Sequence, residues 1–161
     1  MRFKLLVVLL LLTGSVGLSC KSSNSTAQLA ESVQTAIPEG LKIVCGEGGG
    51  FTGRWGGFTV YGGGDVWAWH GMFSEDKASK AGSIPEDSVR YLWHKLEAMD
   101  FFALEKEEYA NMTAVVAVEA GDSIHRVSWP PKVQDFEAFE TPLDSFYVHC
   151  LRVAGQVVDR D

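Results

Sequence analysis

From Leu41 onward the apolar positions keep first one period and then another. Leu41, Ile43 and Cys45 alternate with Lys42 and Val44, a period of two that predicts a first strand running into EGGGFTGRWGGF, Glu47 to Phe58, which reads as a shaped recognition loop between two strands. Two short β-forming runs follow, Phe58 to Tyr61 and Val66 to His70. Gly62, Gly63, Gly64 and Asp65 join them as a hairpin turn. The polar stretch Met72 to Gly82 reads as an exposed loop. The period then lengthens. Pro85 suits a first helical turn, Glu86 and Asp87 favour its positive end, and Val89, Leu92, Leu96 and Met99 or Phe102 share one face of a helix.

Thr113 to Ala120 and Ser123 to Trp129 predict a second hairpin around Gly121 and Asp122, with Val116 and Val118 on its buried side. Pro130 and Pro131 end the sheet. Thr141 is a suitable N-cap, with Pro142 at the first helical position and Asp144 in the first turn. Leu143, Phe146, Tyr147, Cys150 and Leu151 then line one face until Gly155. The order is βββαββα. It predicts an α+β domain: an antiparallel sheet of about five strands with two helices packed on one face.

The N-terminal pattern is of another kind. Arg2 and Lys4 precede an unbroken apolar run from Leu5 to Leu12, shorter than the roughly 20 residues that span a bilayer, so residues 1–19 read as a signal peptide. Leu18, Ser19 and Cys20, followed by a Ser-rich stretch, look like a bacterial lipoprotein signal in which Cys20 is lipidated. The other reading is ordinary cleavage near Ser19 with Cys20 left as a free thiol. Residues 20–39 then form a lipidated cysteine and a flexible tether, 40–155 a single α+β domain and 156–161 a C-terminal tail. The expected location is the bacterial cell envelope, with a lipid anchor in the outer membrane and the domain facing periplasm or surface.

Charge narrows the classes of partner. The formal net charge of −7 becomes −9 once Arg2 and Lys4 leave with residues 1–19, since 12 of 14 basic residues then face 21 acidic ones. Bulk electrostatics therefore exclude a nucleic-acid or anionic-lipid binder. The chain has three cysteines. With Cys20 spent on lipid, Cys45 and Cys150 remain as a pair that an oxidising compartment would join. Closing that loop of roughly 100 residues stabilises by about 4 to 5 kcal/mol in the chain-entropy model. The alternative is two buried thiols that never meet.

Catalytic and cofactor motifs are sparse. Gly48, Gly50 and Gly53 satisfy the letter of a dinucleotide fingerprint, but β-formers follow where a helix N-terminus should face the pyrophosphate. No nucleotide and no other cofactor is expected. The histidines, His70, His94, His125 and His149, are widely spaced and match no metal-binding spacing. No metal site and no enzymatic activity is expected; an enzyme using the scattered histidines is the weaker third reading. Trp67 and Trp69 are two apart on one predicted strand and so share a face, with Tyr61 and Trp55 near them. That face is either core or, with Phe51, Thr52 and Arg54, a partner-binding surface, because Trp, Tyr and Arg anchor interfaces.

The stretch GGGFTG, its following hairpin, PEDSVRYLWHKLEAMDFFAL, and the last hairpin and helix resemble the emfourin family of small bacterial proteins. Gly49, Gly50, Phe51 and Gly53, with Asp100, Phe101, Phe102 and Leu104, carry the resemblance, which covers Ile43 to Val153. The same order of elements is similar to an uncharacterised domain family of bacterial lipoproteins. The emfourin resemblance implies inhibition of thermolysin-like metallopeptidases, with Phe51 entering a hydrophobic specificity pocket. The expected function is thus an exported, membrane-anchored lipoprotein whose non-catalytic domain binds an extracytoplasmic protease or another envelope protein. The rival expectation is a structural envelope lipoprotein with no inhibitory activity.

Overall fold

The computed structural model describes residues 36–71, 77–131 and 141–158. The signal peptide, Cys20, the tether up to residue 35 and the last residues of the tail, 159–161, lie outside the described residues, as does the part of the expected loop at 72–76. Within them the chain folds as β1 (Lys42–Gly49), β2 (Arg54–Tyr61), β3 (Asp65–Gly71), β4 (Lys77–Ser83), α1 (Glu86–Ala98), a 3-10 turn at Phe101–Ala103, β5 (Met112–Ala120), β6 (Ser123–Trp129) and α2 (Pro142–Val158). The strands form one open sheet in the order β4-β3-β2-β1-β5-β6, every neighbouring pair antiparallel. The α+β class is as expected.

The strand count is six where about five were expected. The extra one is β4, KASKAGS, cut from the polar stretch that reads as a loop. It carries no apolar alternation because an edge strand can be held by backbone bonds to one neighbour, here β3, while its side chains stay in water. Lys77 and Lys80 on this edge discourage pairing with other chains, and Lys80 also reaches Asp65 at 2.9 Å. The opposite edge is partly covered. Ser128 of β6 donates its N–H to Lys106 O at 3.0 Å and accepts from the N–H of Glu108 at 2.9 Å.

Register sorts each strand into two faces. One carries Ile43, Cys45, Val60, Val66, Ala114, Val116, Val118, Val127 and Trp129, and these share a single core with Val89, Leu92 and Leu96 of α1 and Leu143, Phe146, Tyr147, Cys150 and Ala154 of α2. Ile37, inside the stretch assigned to the tether, also packs on this core. The end of α1 differs from the helical reading. Asp100 takes a left-handed conformation, φ 52°, which breaks the helical period, so Phe101 is fully buried and Phe102 is left about a third exposed. Met99 is only partly buried.

α2 begins as expected and runs past Gly155 to Val158. The N–H of Asp144 donates to Thr141 Oγ1 at 3.1 Å, the N-cap bond, and the buried Asp144 carboxylate accepts from Thr141 Oγ1 at 2.6 Å and Trp129 Nε1 at 2.8 Å. That ties the start of α2 to β6. Further along, Tyr147 and Cys150 meet β1, and Val157 lies where a side chain at Gly82 of β4 would stand. The helix therefore crosses the sheet from one edge to the other. Its 17 residues span about 25 Å, close to the roughly 24 Å across six strands.

Candidate functional site

The glycine-rich stretch Glu47 to Phe58 is mostly strand, where the sequence reading expects a recognition loop. β1 continues to Gly49 and β2 starts at Arg54, leaving only residues 50–53 as the connection. The loop is short because Gly46, Glu47, Gly48 and Gly49 pair in register with Gly57, Gly56, Trp55 and Arg54, and glycine blocks no ladder bond even though it adds nothing to strand propensity. The turn itself uses left-handed backbone at Gly49, Gly50 and Gly53, φ 113°, 64° and 60°, which side-chain-bearing residues rarely adopt.

Phe51 stands at the tip and is fully exposed. Thr52 beside it is exposed too, and its Oγ1 lies 3.4 Å from the N–H of Arg54. A second element braces this tip. Gly50 donates its N–H to Asn111 O, and the Met112 sulfur lies in van der Waals range of a side chain placed at Gly50. Met112 is itself exposed. Asn111 and Met112 carry no local signal for this role, because they reach the tip only through the pairing of Gly49 with Met112 across β1 and β5.

The other residues assigned to the site flank the tip on the two sides of the sheet. Arg54 is exposed at the start of β2, on the sheet side that carries the helices. Trp55, Trp67 and Trp69 project from the opposite side. Trp55 lies over Gly48, where any β-carbon would collide with its ring. Trp69 reaches across β2 to β1. Its ring atoms would be 2.5 Å from a β-carbon at Gly46 and 2.7 Å from one at Gly57, so both glycines are required by the close approach. Trp69 is 2 % exposed, whereas Trp55 and Trp67 are half-buried. The question left open for this face thus has a divided answer: Trp69 is structural, and its two neighbours present part of their rings.

Burial of Trp69 leaves its Nε1 without a hydrogen-bond partner among the described residues, a cost of about 1 to 3 kcal/mol set against the apolar area of the ring. Ser128 Oγ, buried on the same side, is also unpartnered among the described residues. On the helix side, Tyr147 OH donates to Glu47 Oε2 at 3.1 Å. Desolvation, then the Glu47 charge, push the Tyr147 phenol well above its ordinary range. Cys45 and Cys150 face each other there, 2.7 Å apart and unbonded. The structure thus brings the two cysteines together, and holds Phe51 and Thr52 exposed at the tip while the three tryptophans share one side of the sheet.

No three His, Cys, Asp or Glu side chains converge among the described residues. His125 Nε2 bonds Leu104 O at 2.8 Å and stacks edge-on against Phe101, and His149 stacks on Tyr91. A cavity of about 240 Å³ opens at the start of α2 among Met99, Leu104, Lys106, Thr141, Pro142 and Leu143. No helix among the described residues is long and apolar enough to cross a membrane. Against known proteins, the chain matches no family model and no curated sequence.

Proposed function

We propose that this protein is an exported, lipid-anchored envelope protein whose domain acts by binding another protein through the β1–β2 tip, without catalysis. The observation that carries this reading is Phe51, a large apolar side chain held fully in solvent on a turn of three left-handed glycines. Exposing such a ring is unfavourable, and an interface anchor must be exposed before it is buried in a partner. Bracing by Asn111 limits the ordering cost on binding. The partner chemistry is a pocket that accepts a phenyl ring, with an acceptor placed for Arg54. An extracytoplasmic thermolysin-like metallopeptidase has such a pocket, as the emfourin resemblance implies.

The anchor is Cys20, lipidated after cleavage of residues 1–19. Cys20→Ser is expected to move the protein from the membrane fraction to the soluble one; unchanged fractionation would sink the anchor. The binding reading is tested by titrating the protein against a panel of thermolysin-like peptidases and against a native envelope extract. Inhibition at micromolar concentration, lost in Phe51→Ala, is the expected result. Capture of an envelope protein that is unaffected by Phe51→Ala would favour instead a structural lipoprotein docking through another face, such as the half-buried Trp55 and Trp67.

A further inference from the structure

We propose that Cys45 and Cys150 are joined by a disulfide in the mature protein, and that this bridge closes during folding, before α2 seats on β1. The two residues come from opposite ends of the domain, β1 and α2, yet lie 2.7 Å apart. Their meeting is enforced by an independent contact. Tyr147, one turn before Cys150, donates to Glu47, two residues beyond Cys45, so a second contact seats the same turn of α2 on the same stretch of β1. With that register set, Cys150 has Cys45 as its neighbour.

The timing follows from access. Both cysteines are fully buried between β1 and α2, a helix whose first turn is tied to Trp129. Only a thiolate attacks a disulfide, and burial pushes the Cys45 thiol up, away from that form. A folded, reduced chain therefore has two thiols in contact that no oxidant reaches. In the unfolded or part-folded chain one thiolate attacks a small disulfide oxidant, forming a mixed disulfide and releasing one oxidant thiol. The second thiolate then attacks the protein sulfur of that mixed disulfide and releases the other. Two protons and two electrons leave the cysteines, and the oxidant disulfide becomes two thiols.

The test uses the full chain carrying Cys20→Ser, so that only this pair can react. One sample is refolded from denaturant with oxidised and reduced glutathione; another is folded under reductant, freed of it, and given the same glutathione mixture. Far-UV circular dichroism establishes that each is folded. Each is then denatured, alkylated and weighed. The oxidatively refolded sample is expected to take up no alkyl group and to be lighter by two hydrogens. The sample folded first is expected to lose its thiols at least about ten times more slowly than unfolded chain. Two alkylated cysteines after oxidative refolding would overturn the bridge, and equal oxidation rates would overturn the ordering. Counting thiols in chain recovered from an oxidising expression compartment repeats the first arm without refolding. Neither arm involves a partner, so failure here is separate from failure of the binding reading.

Discussion

At the tip of the β1–β2 hairpin, glycine supplies backbone conformation: Gly50 and Gly53 turn the chain, and Phe51 between them touches solvent. A few residues away on the same two strands, glycine supplies room, since Gly46, Gly48 and Gly57 leave the floor of the sheet bare for Trp69 and Trp55 to lie on. The same pairing of glycine with aromatic residues therefore has opposite energetic meaning in the two regions. On the floor the ring is buried and contributes to stability. At the tip it contributes nothing to the folded domain that its own exposure does not cancel, which is why a use outside the domain is the better account of it. The difference is decided by which face a ladder glycine presents: Gly46, Gly48 and Gly57 lie beneath a tryptophan ring, and Gly50 and Gly53 stand outside the ladder.

The contrast can be broken by substitutions that treat the two regions alike. Trp69→Ala is expected to have the largest effect, a loss of about 3 to 5 kcal/mol in denaturant unfolding, because it empties space over two glycines and no smaller ring replaces it. A loss below about 1 kcal/mol would mean that the floor is not a core. Gly57→Ala comes next, at about 1 to 3 kcal/mol. Its added methyl would meet the backbone of Cys45 and Gly46 as well as the Trp69 ring, so a side-chain shift alone cannot relieve it.

Phe51→Ala, by the same measurement, is expected to change stability by less than about 0.5 kcal/mol, as exposed positions do. A loss comparable to that of Trp69→Ala would merge the two regions and remove the tip as a binding site. The smallest effect lies in neither region. Burial, then the charges of Arg152 and Lys95, lower the pKa of His149, which packs on Tyr91 between the helices. The unfolded chain then binds more protons than the folded one, so stability is complete above about pH 6.5 and declines as pH falls below it. A thermal midpoint that drops slightly from pH 7.5 to 5.5, and drops less in His149→Gln, is the expected outcome; an identical drop in the variant would remove His149 as its source.

Much of this architecture is written in local patterns. Alternation at Leu41, Ile43 and Cys45 and at Val116 and Val118, the turn residues Gly121 and Asp122, and the cap at Thr141 each describe a short-range preference, and each element stands where its pattern places it. The composition of Glu47 to Phe58 also marks it as unusual. What that composition does not carry is which glycine turns the chain and which lies under a ring. The same holds for β4, whose bonds to β3 need no apolar residue, and for Phe101, which replaces Phe102 in the core once Asp100 breaks the helical period.

Short-range signals in the chain specify the class of fold, the order of most elements and the buried faces of β1 and β5, because period, caps and turns act over a few residues. Only the tertiary structure decided that Trp69 is buried while Phe51 is free, that Asn111 braces a turn about 60 residues away, and that Cys45 and Cys150 touch. Those facts rest on sheet register and on the seating of α2, which are set by the summed packing of residues distant in sequence, and no local pattern encodes that sum.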